Sequence, residues 1–379
     1  VTGDSLVVIG ASAAGLAAAE AARAAGHDGP IIVVGRELDP PYTRPALSKA
    51  LLHGRAEVDA VILPPPPDDI GLRLGVEATG LDRARGRVRL ADGDSLRYDK
   101  LVIATGGRAR TLRVDGRGET VLRSLADAVA LRSALTEIGS VVIVGGGFIA
   151  LELASACVSA GVRVTVLTRS GSLVAHLGAA LSELLTGTAV AHGVTVRRVT
   201  GEVTPEGDPV RAIRADDGRI FEADLVVTAI GCRPDTGWIA GSGIPVDGGV
   251  LVDERCRVES GISAAGDVAR LRGLPRTPFW TAALEQARVA GAVLVRGDEV
   301  GRYAPSEFVW TEAFGLTVNV VGPLPAAGPP DVLAGDPDER SALLRWRTDG
   351  HGTAAAINHR ISRRKLRSVA ADAGSSPAA

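Results

Sequence analysis

Cysteine is scarce. Cys157, Cys232 and Cys256 are the only three in 379 residues, they lie far apart, and no C-x-x-C occurs. That excludes a CxxC dithiol redox centre, a four-cysteine zinc site and a disulfide-stapled mini-domain. Isolated cysteines fit a reducing cytoplasm, where the chain is expected. Charge of one sign is lacking too: 42 basic residues against 44 acidic ones leave −2. No global field therefore argues for nucleic acid. No segment approaches the roughly 18 to 20 apolar residues that cross a bilayer. The beginning of the sequence lacks a basic stretch followed by an apolar one, so no signal peptide or membrane partner is expected. The histidines do not cluster at metal-ligand spacing, so no metal is expected. No serine sits in a nucleophile elbow.

What is present is apolar and rich in glycine: 46% hydrophobic residues and 47 glycines, but only 3% aromatics. Those values exclude a disordered chain and a collagen-like fibre. The length suggests about two or three domains. Leu6-Val7-Val8-Ile9 reads as a buried strand. Gly10-Ala11-Ser12-Ala13-Ala14-Gly15 follows, then an alanine-rich helix to about Ala25, with Gly26 as its cap. Ile31-Ile32-Val33-Val34 is the next strand. The same pattern returns 135 residues later. Val141 to Val144 is the strand, Gly145-Gly146-Gly147-Phe148-Ile149-Ala150 the turn, and a helix runs to about Ala160 with Gly161 as its cap. Val162 to Leu167 is the following strand. Two βαβ units opened by glycine turns predict an α/β fold with two Rossmann-like nucleotide-binding domains.

Elsewhere, Pro64 to Pro67 breaks regular structure. Arg87 to Leu90 before Asp92-Gly93 reads as a hairpin arm. Two further apolar runs end at glycine: Leu101 to Ala104 before Thr105-Gly106, and Leu225 to Ile230 before Gly231. Beyond about Pro305 the character changes. It carries strand-like alternation (Leu316 to Val321), a Pro/Gly loop (Gly322 to Pro330), Leu343 to Trp346 and a basic stretch. The residues from Ala370 on are small and polar and are expected to fray.

The glycine turns have a mechanism. The first turn of a helix carries unpaired N–H groups and about half a positive charge, which suits a pyrophosphate. Glycine lets the backbone come close, and the last small residue lets helix and strand pack. The second copy fits GxGxxG/A through Gly145, Gly147 and Ala150; in the first, Ser12 replaces the middle glycine. Glu37, 22 residues beyond Gly15, suits an adenosine ribose with free hydroxyls. The equivalent place in the second copy holds Thr168 and then Arg169. No carboxylate there repels a 2′-phosphate and Arg169 is able to pair with one, a contact worth ~1.5–3 kcal/mol. The second site therefore leans to NADPH over NADH.

Seven segments in order carry a family resemblance. Pro41-Tyr42-Thr43-Arg44-Pro45-Ala46-Leu47-Ser48-Lys49 resembles PYxRPPLSK of the FAD-dependent, NAD(P)H-using ferredoxin reductases, the glutathione-reductase-like reductases of oxygenase systems. Ile103 to Gly106 is similar to the ATG motif, Gly147 to Glu152 to GxIGLE, and Ala265 to Val268 to AxGDV. Trp280 to Ala287 is similar to WxNAxxQA, Phe308 to Gly315 to FWSDQYG, and Ala355 to Arg360 to AVNRPR. The resemblance implies a glutathione-reductase-type fold: an FAD-binding domain in residues 1–108 and 230–305, an NAD(P)H-binding domain in 109–229 and a C-terminal α+β domain in 306–379.

It also implies roles. Gly10, Ser12, Ala13, Ala14, Gly15 and Glu37 would hold the FAD adenosine diphosphate, with Arg44, Thr105 and Arg110 completing its surroundings and Asp267 on the ribityl chain. Lys49 would sit near the flavin N5 edge and pair with Glu152; these two are the catalytic candidates. Ala78, Ala104, Gly106, Gly145, Gly147, Phe148, Ile149, Thr168, Arg169, Gly231, Gly266 and Trp280 complete the cofactor-binding set. The helix opened by Trp280 would aim its N-terminus at the flavin. Ala282 and Ala313 stand where the family often has asparagine and glutamine. The implied activity is hydride transfer from NAD(P)H to FAD and single-electron transfer to a ferredoxin-type iron–sulfur protein. Arg360, Arg363, Arg364, Lys365 and Arg367 would dock an acidic partner. A flavoenzyme acting on a small molecule or oxygen, and a flavin-bound redox-signalling protein, are the alternatives.

Overall fold

Each short apolar run becomes a strand because both of its faces have something to bury against. In Leu6–Ile9, Val7 and Ile9 join one hydrophobic cluster, while Leu6 and Val8 join another. A strand covered on both faces needs no alternation. The computed structural model describes residues 3–347 and 352–371, so the far end expected to fray lies, beyond Ala371, outside the described residues. The described chain falls into two compact units.

The first unit comprises residues 1–44, 58–108 and 232–305. Its six-stranded sheet runs Arg257–Glu259, Ile262–Ala264, Lys100–Ile103, Leu6–Ile9, Ile31–Val34, Ile70–Arg73. All pairings are parallel except the first. The Ala13–Ala24 helix packs against the Trp280–Arg296 helix. A Cβ on Gly291 would meet the Ala18 carbonyl oxygen at 2.0 Å, so the two backbones touch where only glycine fits. This is what the alanine-rich helix is for: small side chains bring the helices close, and Ala18, Ala22, Ala287 and Ala290 share one cluster. An antiparallel sheet, Ala78–Asp82, Arg87–Leu90 and Ser95–Arg97, contains the expected hairpin arm. No helix or strand lies between Val61 and Ile70, the segment that Pro64 to Pro67 interrupts.

The second unit comprises residues 45–57, 109–231 and 306–379. Its parallel sheet runs Thr195–Arg198, Arg163–Thr168, Ser140–Val144, Leu225–Thr228. The helix Phe148–Ser159 follows the Ser140–Val144 strand directly. The region beyond residue 305 forms a five-stranded antiparallel sheet: Phe308–Ala313, Leu316–Val321, Thr353–Ile357, Ser341–Trp346 and Asp331–Asp336. The amphipathic helix Arg363–Ala371 buries Leu366 and Ala370 in the cluster that holds Val321, Ala354 and Ala356 of this sheet. Among the described residues no helix is long and apolar enough to cross a membrane.

Candidate functional site

The two glycine turns are built alike. Gly10 has φ +122°, and a Cβ there would lie 2.1 Å from the Ala104 carbonyl oxygen, at the end of the neighbouring strand. Gly145 has φ +131°, and its Cβ would lie 2.2 Å from the Ala229 carbonyl oxygen, again at the end of the adjacent strand. Both positions need glycine for conformation and for space. Each chain crossing is thereby pressed onto its sheet, and the helix that follows begins directly above the strand ends. Ser12 and Gly147 cap those helices, and neither supplies a side-chain acceptor. The first-turn N–H groups keep their capacity for an anion. A Cβ on Gly147 would meet nothing within 4 Å, whereas one on Gly15 would strike the Gly10 carbonyl oxygen at 1.8 Å. Open space at the second turn and close packing behind the first are what a dinucleotide pyrophosphate at such a helix requires.

Around the first turn the chain adds polar groups. Arg44 Nη2 lies 2.8 Å from Glu37 Oε1, and the Tyr42 hydroxyl donates to Glu37 Oε2. Burial alone would raise the Glu37 carboxyl; Arg44, the Tyr42 hydroxyl and Arg36 outweigh it and hold the group below its ordinary value. The carboxylate therefore stays an acceptor, as ribose hydroxyls require. Gly266 has φ +79°, and a Cβ there would lie 3.1 Å from Ala14 Cβ. Its N–H donates to the buried Gln286 side chain at 2.9 Å. The half-buried Asp267 beside it is thus held close to the first helical turn. Ala78 is buried in the cluster that holds Val34 and Ile9.

A four-member ion network lies at the same strand ends. Asp235 takes Arg36 Nη1 at 2.9 Å and Arg108 Nε at 3.0 Å, and Glu77 pairs with both arginines. The Thr105 hydroxyl donates to the Asp235 carbonyl at 2.7 Å, and the Asp235 N–H donates to the Gly106 carbonyl at 3.0 Å. Asp235, Gln286 and this network escape sequence reading, because each contact joins segments 20 to about 200 residues apart. The motifs quoted above include Gln286, but nothing in their spacing reveals its partner.

In the second unit, Thr168 is buried and its hydroxyl accepts the Gly171 N–H at 2.7 Å, while Arg169 is exposed. The Arg110 N–H donates to the Gly231 carbonyl at 2.9 Å, which brings those two residues together. Ile149 is 37% exposed at the first helical turn, beside Phe148, whose ring meets His176 edge-on at 4.6 Å. The basic residues divide. Arg363 packs its guanidinium 4.4 Å above the Phe308 ring and donates to Ser306; Arg360, Arg364, Lys365 and Arg367 are exposed.

Lys49 and Glu152 meet. Lys49 Nζ lies 2.8 Å from Glu152 Oε1, with side-chain exposures of 11% and 1%. Lys49 stands on a five-residue π-type turn, Leu47–Leu51, and its ammonium lies 5.3 Å from the Trp310 ring centroid. Single π turns recur at functional sites. A buried ion pair is weak evidence for stability, so a pair held this deeply points to a task. The two buried thiols do not offer one: burial pushes Cys157 and Cys256 up to about 12.

Comparison with known proteins bears on these features together. The profile of the family described as pyridine nucleotide-disulphide oxidoreductase matches residues 4–290. The ferredoxin–NAD(+) reductase component of an anthranilate 1,2-dioxygenase system from Burkholderia cepacia is 37% identical, over 94% of this chain and 91% of its own. Rhodocoxin reductase from Rhodococcus erythropolis is 35% identical, over 88% and 81%. Among solved structures, the covalent putidaredoxin reductase–putidaredoxin complex superposes with a TM-score of 0.87 at 29% identity, covering 97% of this chain and 93% of that one. The chain belongs to the pyridine nucleotide-disulphide oxidoreductase family, within its ferredoxin reductase group.

Proposed function

We propose that this protein is the reductase component of an oxygenase electron-transfer system, an FAD-dependent NAD(P)H:ferredoxin oxidoreductase. The observation that carries the reading is the duplicated cradle: two glycine turns, each pressed onto a strand-end carbonyl and each opening a helix whose cap residue makes no side-chain hydrogen bond to it. We assign residues 1–108 and 230–305 to FAD, 109–229 to the nicotinamide nucleotide and 306–379 to the C-terminal domain. Bound FAD would supply the conversion of a two-electron hydride donor into single-electron transfers.

The chain's own residues bind and orient. The N-terminus of the Ala13–Ala24 helix and Gly10 receive the FAD pyrophosphate, Glu37 and Arg44 its adenosine end, and Asp267 the ribityl hydroxyls. The N-terminus of the Phe148–Ser159 helix receives the nicotinamide dinucleotide. Lys49, held by Glu152, keeps a fixed positive charge where hydride is accepted. The exposed Arg360, Arg364, Lys365 and Arg367 steer an acidic iron–sulfur protein in the cytoplasm. The relatives named above specify NAD(+) or no nucleotide, so the lean to NADPH finds no support in them.

The test is anaerobic mixing of the purified protein with NADH or NADPH while the flavin band is followed, then addition of a ferredoxin and cytochrome c. Nicotinamide-dependent bleaching and ferredoxin-dependent cytochrome reduction are expected. Bleaching without any ferredoxin dependence would refute the electron-transfer role and favour an oxidase. A comparison of the two nucleotides in the same assay, with Arg169→Ala beside the natural chain, decides the nucleotide.

A further inference from the structure

The Glu152 carboxylate has more partners than its lysine. Oε1 accepts from Lys49 Nζ at 2.8 Å and from Thr311 Oγ1 at 2.8 Å; Oε2 accepts from the Ser48 hydroxyl. Both hydroxyl residues are buried to 1% exposure. A carboxylate has two oxygens with about four acceptor sites, and leaving such sites empty in the interior costs several kcal/mol. Three donors answer that demand, and they come from two separate stretches of chain, Ser48-Lys49 and the strand that holds Thr311.

Thr311 is out of pattern. Along Phe308–Ala313 the buried face carries Val309, Thr311 and Ala313. Valine has the same shape as threonine and no hydroxyl to desolvate, so packing alone favours valine there. The hydroxyl is used instead for Glu152. One helical turn further along Phe148–Ser159, Ser155 Oγ accepts the Phe314 N–H at 2.8 Å. The helix and the end of the strand are therefore tied twice, on successive turns. On the other side, the π-type turn lets the consecutive residues Ser48 and Lys49 reach one carboxylate.

We infer that Ser48 and Thr311 are positioning residues: their hydroxyls fix the Glu152 carboxylate, and through it the Lys49 ammonium, so that strand Phe308–Ala313 is part of the hydride-accepting machinery. This rests on the reading of Lys49 and Glu152 given above. Loss of one hydroxyl leaves the carboxylate with two of its three donors, so it is held less firmly and the place of the ammonium is less sharply fixed. Small misplacements of a reacting centre lower rates steeply.

The chain offers a second readout because it has only three lysines, Lys49, Lys100 and Lys365. Acylation by an amine-reactive ester, followed by mass spectrometry, reports Lys49 against two internal references. In Thr311→Val and Ser48→Ala, Lys49 acylation is expected to rise about threefold while Lys100 and Lys365 keep their rates. Flavin reduction at saturating nicotinamide is expected to fall about tenfold, with nicotinamide affinity and FAD content kept. Thr311→Ser, which keeps the hydroxyl and removes a methyl, restores both. The inference is overturned if Thr311→Val matches the natural chain in both readouts, or if Thr311→Ser is as impaired as Thr311→Val. If NADH and NADPH both leave the natural chain unreduced, the proposed function fails, and the acylation comparison still judges the hydroxyls.

Discussion

Removing the charge of Glu152 separates structure from chemistry at the centre of the account. Glu152→Leu leaves the Lys49 ammonium, at 11% exposure, beside an apolar side chain. An unpaired buried charge costs ~3–5 kcal/mol; Lys49 keeps some solvent, so the lower end, about 3 kcal/mol, applies. For a unit of this size that lowers the calorimetric midpoint by about 6–12 °C. Lys49→Met combined with Glu152→Leu removes both charges and keeps similar volume. It should recover at least about 2 kcal/mol of the loss, because apolar replacement of a buried pair is close to neutral. Recovery stays incomplete, since the Ser48 and Thr311 hydroxyls lose their acceptor. Hydride transfer behaves differently: in stopped-flow, flavin reduction stays at least about tenfold slow in the double variant despite its regained stability. If reduction recovers along with the midpoint, the pair is a structural element and the reasoning fails.

Gly10→Ala should abolish FAD retention, because its Cβ would lie 2.1 Å from the Ala104 carbonyl oxygen. Gly145→Ala, at 2.2 Å from the Ala229 carbonyl oxygen, should leave FAD bound and abolish nicotinamide binding; absorbance and equilibrium titration distinguish the two. Ferredoxin-dependent turnover should fall steeply with ionic strength and flatten in a variant with Arg360, Arg364, Lys365 and Arg367 changed to glutamine; a flat profile in the natural chain contradicts docking there. Glu37 titrates below its ordinary value of 4.5, so its contribution to stability is full above that value and disappears as pH falls through the depressed one. In Arg44→Met that contribution should shrink: melting curves should show the variant less stable near about pH 6, with the difference from the natural chain narrowing as pH falls to about 3.

The features that were legible from the amino-acid order are the local ones. The strand–glycine–helix crossings at Gly10 and Gly145 were readable because a buried strand, a turn with positive φ and a small-residue helix all leave marks within about 30 residues. The Lys49–Glu152 pair was expected only through family resemblance, since nothing in either segment points to the other. What could not be read is set by contacts between distant segments. Ala104 and Ala229 present carbonyls that make glycine obligatory at Gly10 and Gly145, yet each looks like an ordinary strand end. Thr311 reads as a strand residue until Glu152 is placed beside it. Asp235 reads as a turn residue until Arg36 and Arg108 close on it. Arg363 belongs to a basic run by sequence, but its guanidinium lies on Phe308 and only its neighbours are exposed.

The most direct measurement is the absorbance spectrum of the purified protein before and after anaerobic addition of a nicotinamide nucleotide, with FAD quantified after release. The account predicts a yellow protein with about one FAD per chain, whose visible band bleaches on addition of NADH or NADPH. A colourless chain that takes up no FAD on reconstitution would contradict it.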